Sequence, residues 1–170
     1  MDVAELLVEL YDRIPPLVRG AVEGVTDDQL TEAPRQGANT IAWLLWHLTR
    51  VLDHHMAEIL DQPQLWATGD WAASFGLAPE PRNTGYGHGP DDVMAVQPRD
   101  AWAVTDYLDA VFRRTRPWLA GLSAGDLDRI VDRRWDPPVT LGVRLVSIAD
   151  DCLQHVGQAA YLRGLLALEV

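Results

Sequence analysis

The sequence predicts an all-α fold, a four-helix bundle, and three observations carry that prediction. Apolar residues recur at steps of three and four along four long stretches. Residues that start helices stand ahead of them, and no stretch alternates with a strand's period of two between turn signals.

The first helix is expected from about Val3 to Val22, kinked or split by Pro15 and Pro16. A TDDQL turn follows, with Thr26 and Gln29 at capping-box spacing. Asn39 and Thr40 are good N-cap residues for a second helix, Ile41 to about Leu60. The third helix runs from about Asp100 to Leu119, with Pro117 disturbing its end. Ser123 opens another short turn, SAGDLDRIV, and WDPPVT leads into the fourth helix at Leu141.

The connection from Pro63 to Pro98 is different in kind. It is rich in Gly, Pro and aromatic residues and lacks helical period, and loops this long inside a compact domain are uncommon and usually functional. Such a length permits a crossover, so that helices two and three run parallel. Trp66, Trp71, Phe75 and Tyr86 predict that it packs down as a lid or covers an apolar end of the bundle.

At 170 residues one domain spanning 1–170 is expected. The 25 acidic and 14 basic side chains give a net charge of −11, with no basic cluster, which argues against nucleic acid as a partner. No apolar run reaches a membrane span. The single cysteine, Cys152, and the acidic start MDVAELLVEL together predict a cytoplasmic protein. Tryptophans opposite the helix-two seam, Trp43 or Trp46, offer a homodimer surface or pack under the long loop.

The fourth helix carries polar residues on a core seam. Leu141, Leu145, Ile148, Cys152, His155, Ala159, Leu162 and Leu166 follow at alternating steps of four and three, with Asp151 one turn before His155. Four residues apart, Asp151 and His155 can chelate one ion, and they can equally just hydrogen-bond each other. A third ligand from a facing helix would complete a site with open positions. On helix two the seam reads Ile41, Leu45, Leu48, Leu52, His55, Ile59, which points His55 inward, His47 to the boundary and His54 to solvent. His88, in the loop GYGHGP, is a candidate acid or base.

The segments NTIAWLLWHLTRVLDHH and DDCLQHVGQAAYLRGLL, together with GYGHGP and WDPPVTLGVRLVS, resemble the DinB/YfiT-like superfamily of four-helix bundles. The likeness is to an actinobacterial branch of unknown function, related to the mycothiol-dependent maleylpyruvate isomerases. It implies an up-down-down-up bundle. It also implies a divalent metal held by one histidine of helix two and a pair on helix four; imidazole and carboxylate suit zinc, nickel, iron or manganese, of which zinc or nickel is expected. Those positions map to His47, Asp151 and His155. Asp151 departs from the commoner histidine, although the isomerases also carry a carboxylate there. His47 and His55 stand about 12 Å apart along a helix and so are not expected to share an ion. The resemblance favours His47 where the seam favours His55.

The resemblance further implies a thiol S-transferase that joins a mycothiol-type cosubstrate to a small organic electrophile. A metal-dependent hydrolase and a non-catalytic, stress-induced metal-binding protein are the alternatives. A thiol with a pKa of about 8.5 needs less acidification than water does, which ranks the transferase above the hydrolase.

Overall fold

The computed structural model describes residues 1–167. Its helices are α1 (Val3–Tyr11), α2 (Ile14–Val22), α3 (Asp27–Thr31), α4 (Ile41–Leu60), α5 (Leu65–Thr68), α6 (Trp71–Ser74), α7 (Pro90–Met94), α8 (Ala101–Leu119) and α9 (Leu141–Ala167). A 3₁₀ turn at Ala124–Asp128 and a small antiparallel pair, β1 (Ile130–Asp132) with β2 (Val139–Thr140), join α8 to α9.

Local chemistry sets most of these boundaries. Asp2 accepts from the amide of Glu5 while Glu5 accepts from that of Asp2, closing a capping box on α1. Pro15 and Pro16 have no amide to donate, so the first long helix breaks after Tyr11 and restarts with proline in the first turn of α2. Thr26 and Gln29 close a second capping box on α3, and Thr40 caps α4 by accepting from Trp43 at 3.0 Å. Asp61, in the left-handed region at φ 51°, ends α4. Asp100 caps α8, and Pro117 falls in its last turn, where little helix remains to disturb. The β1–β2 pair escapes a reading by periodicity because strands of 3 and 2 residues are too short to show alternation.

The helices pack as an all-α bundle, and side-chain contacts give their directions. His47 faces Asp151, Leu48 faces Cys152 and His55 faces Arg144, so α4 and α9 are antiparallel. Arg50 and Asp53 reach Tyr107, and Asp53 also reaches Arg114, so α4 and α8 run parallel. Asp12 pairs with Arg116 and Arg19 with Asp109, setting α1–α2 antiparallel to α8.

The connection between α4 and α8 is not featureless: it forms α5, α6 and α7 and packs against α4. Trp66 and Phe75 are fully buried, and Trp66 sits 5.9 Å from Trp46 and 5.5 Å from Tyr107, ring to ring. Residues 41–50 of α4 are therefore buried on every side. This overturns the solvent-facing side assigned to that helix. Trp43 and Trp46 lie beneath the loop, so they offer no dimer surface. Polar Arg50 and Asp53 are wholly enclosed.

Those two charges hold the loop down. Arg50 donates to the carbonyls of Asn83 (3.0 Å) and Pro81 (3.0 Å) and to Gln64 Oε1 (2.9 Å), and its guanidinium lies 4.9 Å from the Trp66 ring centroid. Asp53 accepts from the amides of Leu65 and Trp66, from the Tyr107 hydroxyl at 2.8 Å and from Arg114 at 2.6 Å. Buried charges survive only when satisfied this fully.

Candidate metal centre

Helices α4 and α9 bring three ligand-bearing side chains together. Asp151 Oδ1 lies 3.9 Å from His47 Nε2 and 3.5 Å from His155 Nε2, and one ligand atom from each residue falls within 4.8 Å of the others. Asp151 and His155 share a face of α9 because four residues span about one helical turn. The close approach of the backbones is marked by Cys152, whose Sγ sits 3.8 Å from the Leu48 carbonyl.

Each imidazole is oriented by a neighbour. Trp43, one turn before His47, stacks on its ring at 4.8 Å and 8°. His47 Nδ1–H donates to the Thr84 carbonyl, and His155 Nδ1–H donates to Gln158 Oε1 at 2.9 Å. An Nδ1 so engaged leaves the Nε2 lone pair free, the usual way a metal-ligating histidine is held. Thr84 reaches His47 only because Gly85 follows it. Gly85 has φ +95°, and a Cβ there would lie 2.6 Å from His47 Nδ1.

The electrostatics point the same way. Asp151 Oδ2 is buried and has no hydrogen-bond partner, although an unsatisfied buried acceptor costs about 1–3 kcal/mol. Burial lowers the pKa of His47, which keeps its ring neutral and able to bind metal. The Asp151 carboxylate beside His155 raises that residue's pKa, because it attracts positive charge to this spot, for which a proton on His155 and a bound cation would compete. Two neutralisable imidazole nitrogens and an orphaned carboxylate oxygen fit a divalent cation with open positions.

The remaining candidates are placed elsewhere. His55 belongs to a separate group with His54 and Glu58, so the seam reading that pointed it at the Asp151–His155 pair is not what the fold produces. Arg144 from α9 caps its ring, with Nη1 3.3 Å from both ring nitrogens. His54 is partly buried and not simply solvated, because Gln64 covers it at 3.0 Å. His88 accepts from Trp43 Nε1 through Nδ1 (3.1 Å) and donates from Nε2 to Asn83 Oδ1 (2.8 Å). One nitrogen ties the loop to α4 through Trp43 and the other is held within the loop by Asn83, which leaves none for acid or base work. Burial pushes the Cys152 thiol far up, so it is a core residue and not a nucleophile.

Sequence reading missed Arg50, Asp53, Thr84 and Gly85. A charged pair at i and i+3 within the apolar run of α4 was the available signal for the first two. Nothing in the sequence marked Thr84, whose contribution is a backbone carbonyl.

The chain matches the family model for mycothiol-S-transferase over residues 7–167. Among solved structures it is similar to a conserved protein from Enterococcus faecalis, at 30% identity over 96% of each chain with a TM-score of 0.87. No curated protein matches it. None of the helices among the described residues is long and apolar enough to cross a membrane.

Proposed function

Because the chain belongs to the mycothiol-S-transferase family, we propose that it transfers a mycothiol-type thiol to a small organic electrophile at a divalent ion held by His47, Asp151 and His155. The observation that carries this reading is the orphaned Asp151 Oδ2 beside two imidazoles whose Nδ1 atoms are already engaged.

A divalent ion held by His47, Asp151 and His155 would supply Lewis acidity, which would lower a thiol's pKa toward neutrality. The chain's own residues set the conditions for it. Trp43 and the Thr84 carbonyl hold His47 in plane, Gln158 holds His155, and one carboxylate among three ligands keeps the site's net positive charge low. That mildness suits sulfur, because a thiol's ordinary pKa of about 8.5 leaves little to correct, whereas water needs a far larger shift. The net reaction replaces the S–H bond with S–C, and the proton leaves with the electrophile's departing group or adds to the product. The loop from Pro63 to Pro98 covers α4 beside the site and limits water there.

The test is metal analysis of untagged protein, with thiol consumption followed over a panel of electrophiles for the zinc- or nickel-loaded form. We expect one ion per chain, lost in His155→Ala and greatly weakened in His47→Ala, with transfer following occupancy. Retention of metal by His47→Ala and loss in His55→Ala would overturn the ligand set. Hydrolysis of an ester or amide without thiol, and no thiol binding, would replace the transferase with the hydrolase.

A further inference from the structure

A cavity of about 300 Å³ opens beside the candidate centre, at the small end for ligand pockets. His47 and Asp151 border one part of it, and His54 and His55 another. The two parts are separated by seven or eight residues of α4, about 10–12 Å along its axis. Ser147, one turn before Asp151 on the antiparallel α9, and Tyr86 from the loop lie along the way.

His54, His55 and Glu58 have ligand atoms close enough to hold an ion, but their hydrogen bonds oppose it. Gln64 Oε1 is committed to Arg50 at 2.9 Å, so its amide nitrogen must donate to His54 Nδ1 at 3.0 Å. The His54 proton therefore sits on Nε2, the atom that faces Glu58 at 3.9 Å, and a protonated nitrogen is no ligand. Arg144 lies over His55, and Arg134 Nη2 stands 3.9 Å from Glu58, so two guanidinium groups already occupy the approaches.

What these groups offer is a mixture of hydrogen-bond donors and acceptors. His54 Nε2–H donates, and the Ser147 and Tyr86 hydroxyls do either. Burial keeps both histidines neutral near pH 7, and Arg144 is neutralised by Asp132 at 2.7 Å. Such a wall suits neutral hydroxyl groups better than an anion or an apolar body. We propose that the His54–His55 part of the cavity, with Ser147 and Tyr86, is a hydrogen-bonding subsite for the hydroxyl-rich rings of the thiol cosubstrate and not a second metal site. This rests on the transferase reading: the sulfur lies at His47, Asp151 and His155, and the polyol rings that mycothiol carries several bonds away extend along α4.

The experiment compares mycothiol with N-acetylcysteine, which has the sulfur arm and no rings, by calorimetry on zinc-loaded protein. The wild type should bind mycothiol at least tenfold more tightly, roughly the worth of one or two hydrogen bonds. The double variant His54→Ala/His55→Ala should lose that preference while keeping its N-acetylcysteine affinity and one zinc per chain. Removing His54 also disturbs Gln64, so Tyr86→Ala serves as the second variant. Its side chain is 95% exposed, and its loss should weaken mycothiol alone, by severalfold. Equal affinity for the two thiols in the wild type overturns the subsite and leaves the transferase standing. So does unchanged mycothiol affinity in both variants, or a second zinc per chain that the double variant loses. Failure of the wild type to bind either thiol overturns the transferase reading and the subsite together.

Discussion

Gly85 is the residue on which the candidate centre is most exposed to a single methyl group. Its φ of +95° strains any side chain, and a Cβ would meet His47 Nδ1 at 2.6 Å and Trp46 at 3.0 Å. Gly85→Ala should lift the Thr84 carbonyl off His47 and weaken zinc binding at least tenfold, the usual cost of losing an orienting partner. Gly87→Ala is the control: it has φ +77° but nothing within 4 Å of its Cβ, so it shares the strain without the collision. Equal zinc affinity in the two variants would show that the loop does not position His47. His55 makes the pH prediction. Burial, then the Arg144 charge, lowers its pKa to about 4 from an unfolded value of 6.5. Between those values the unfolded chain binds the extra proton, so stability should be full above pH 6.5 and fall as pH drops toward 4. The loss is of order 1–3 kcal/mol. In His55→Gln, denaturant melts over this range should flatten, and an unchanged slope would locate the pH dependence elsewhere.

At the scale of elements, the loop and α4 depend on one another through Asp53 and Arg50. Asp53 is fully buried and joins the α5 amides, Tyr107 and Arg114. Asp53→Ala strands the Arg50 and Arg114 charges and should cost about 3–5 kcal/mol, the range for breaking a buried pair. The connection 63–98 should then become sensitive to protease in the native protein, whereas the wild-type loop should resist. Rapid cleavage of the wild type would show that the packing of Trp66 and Phe75 does not hold it down. Asn83 ties this network to the site: its carbonyl accepts from Arg50, its side chain from His88, and Thr84 is the next residue.

Across the whole molecule, a metal that binds the folded chain and not the unfolded one must add to its stability. With zinc at a thousand times its dissociation constant the gain is about 4 kcal/mol, which at this size raises Tm by roughly 8–16 °C. Adding a chelator should remove that increment from the wild type and change nothing in His155→Ala. A chelator shift that persists in His155→Ala would place the ion at another group, of which His54, His55 and Glu58 are the obvious one.

The sequence by itself determined the long helices, though not the short α5, α6 and α7 of the connection, because capping boxes, prolines and apolar spacing act within a few residues: Thr40, Asp100 and the break at Pro15–Pro16 are all local. It also determined that Asp151 and His155 share a face, since one helical turn does that regardless of context. Which histidine of α4 meets them was a different matter. Periodicity gave His55 the seam, but it assumes one buried face, and α4 is buried all round through residues 41–50. Tertiary structure decided for His47 by setting the antiparallel register of α4 on α9, with Leu48 opposite Cys152 and His55 opposite Arg144. It also decided what the loop does. The bonds from Thr84 to His47 and from Asn83 to Arg50 are made by backbone carbonyls, which every residue has, so no side-chain pattern in the sequence can announce them.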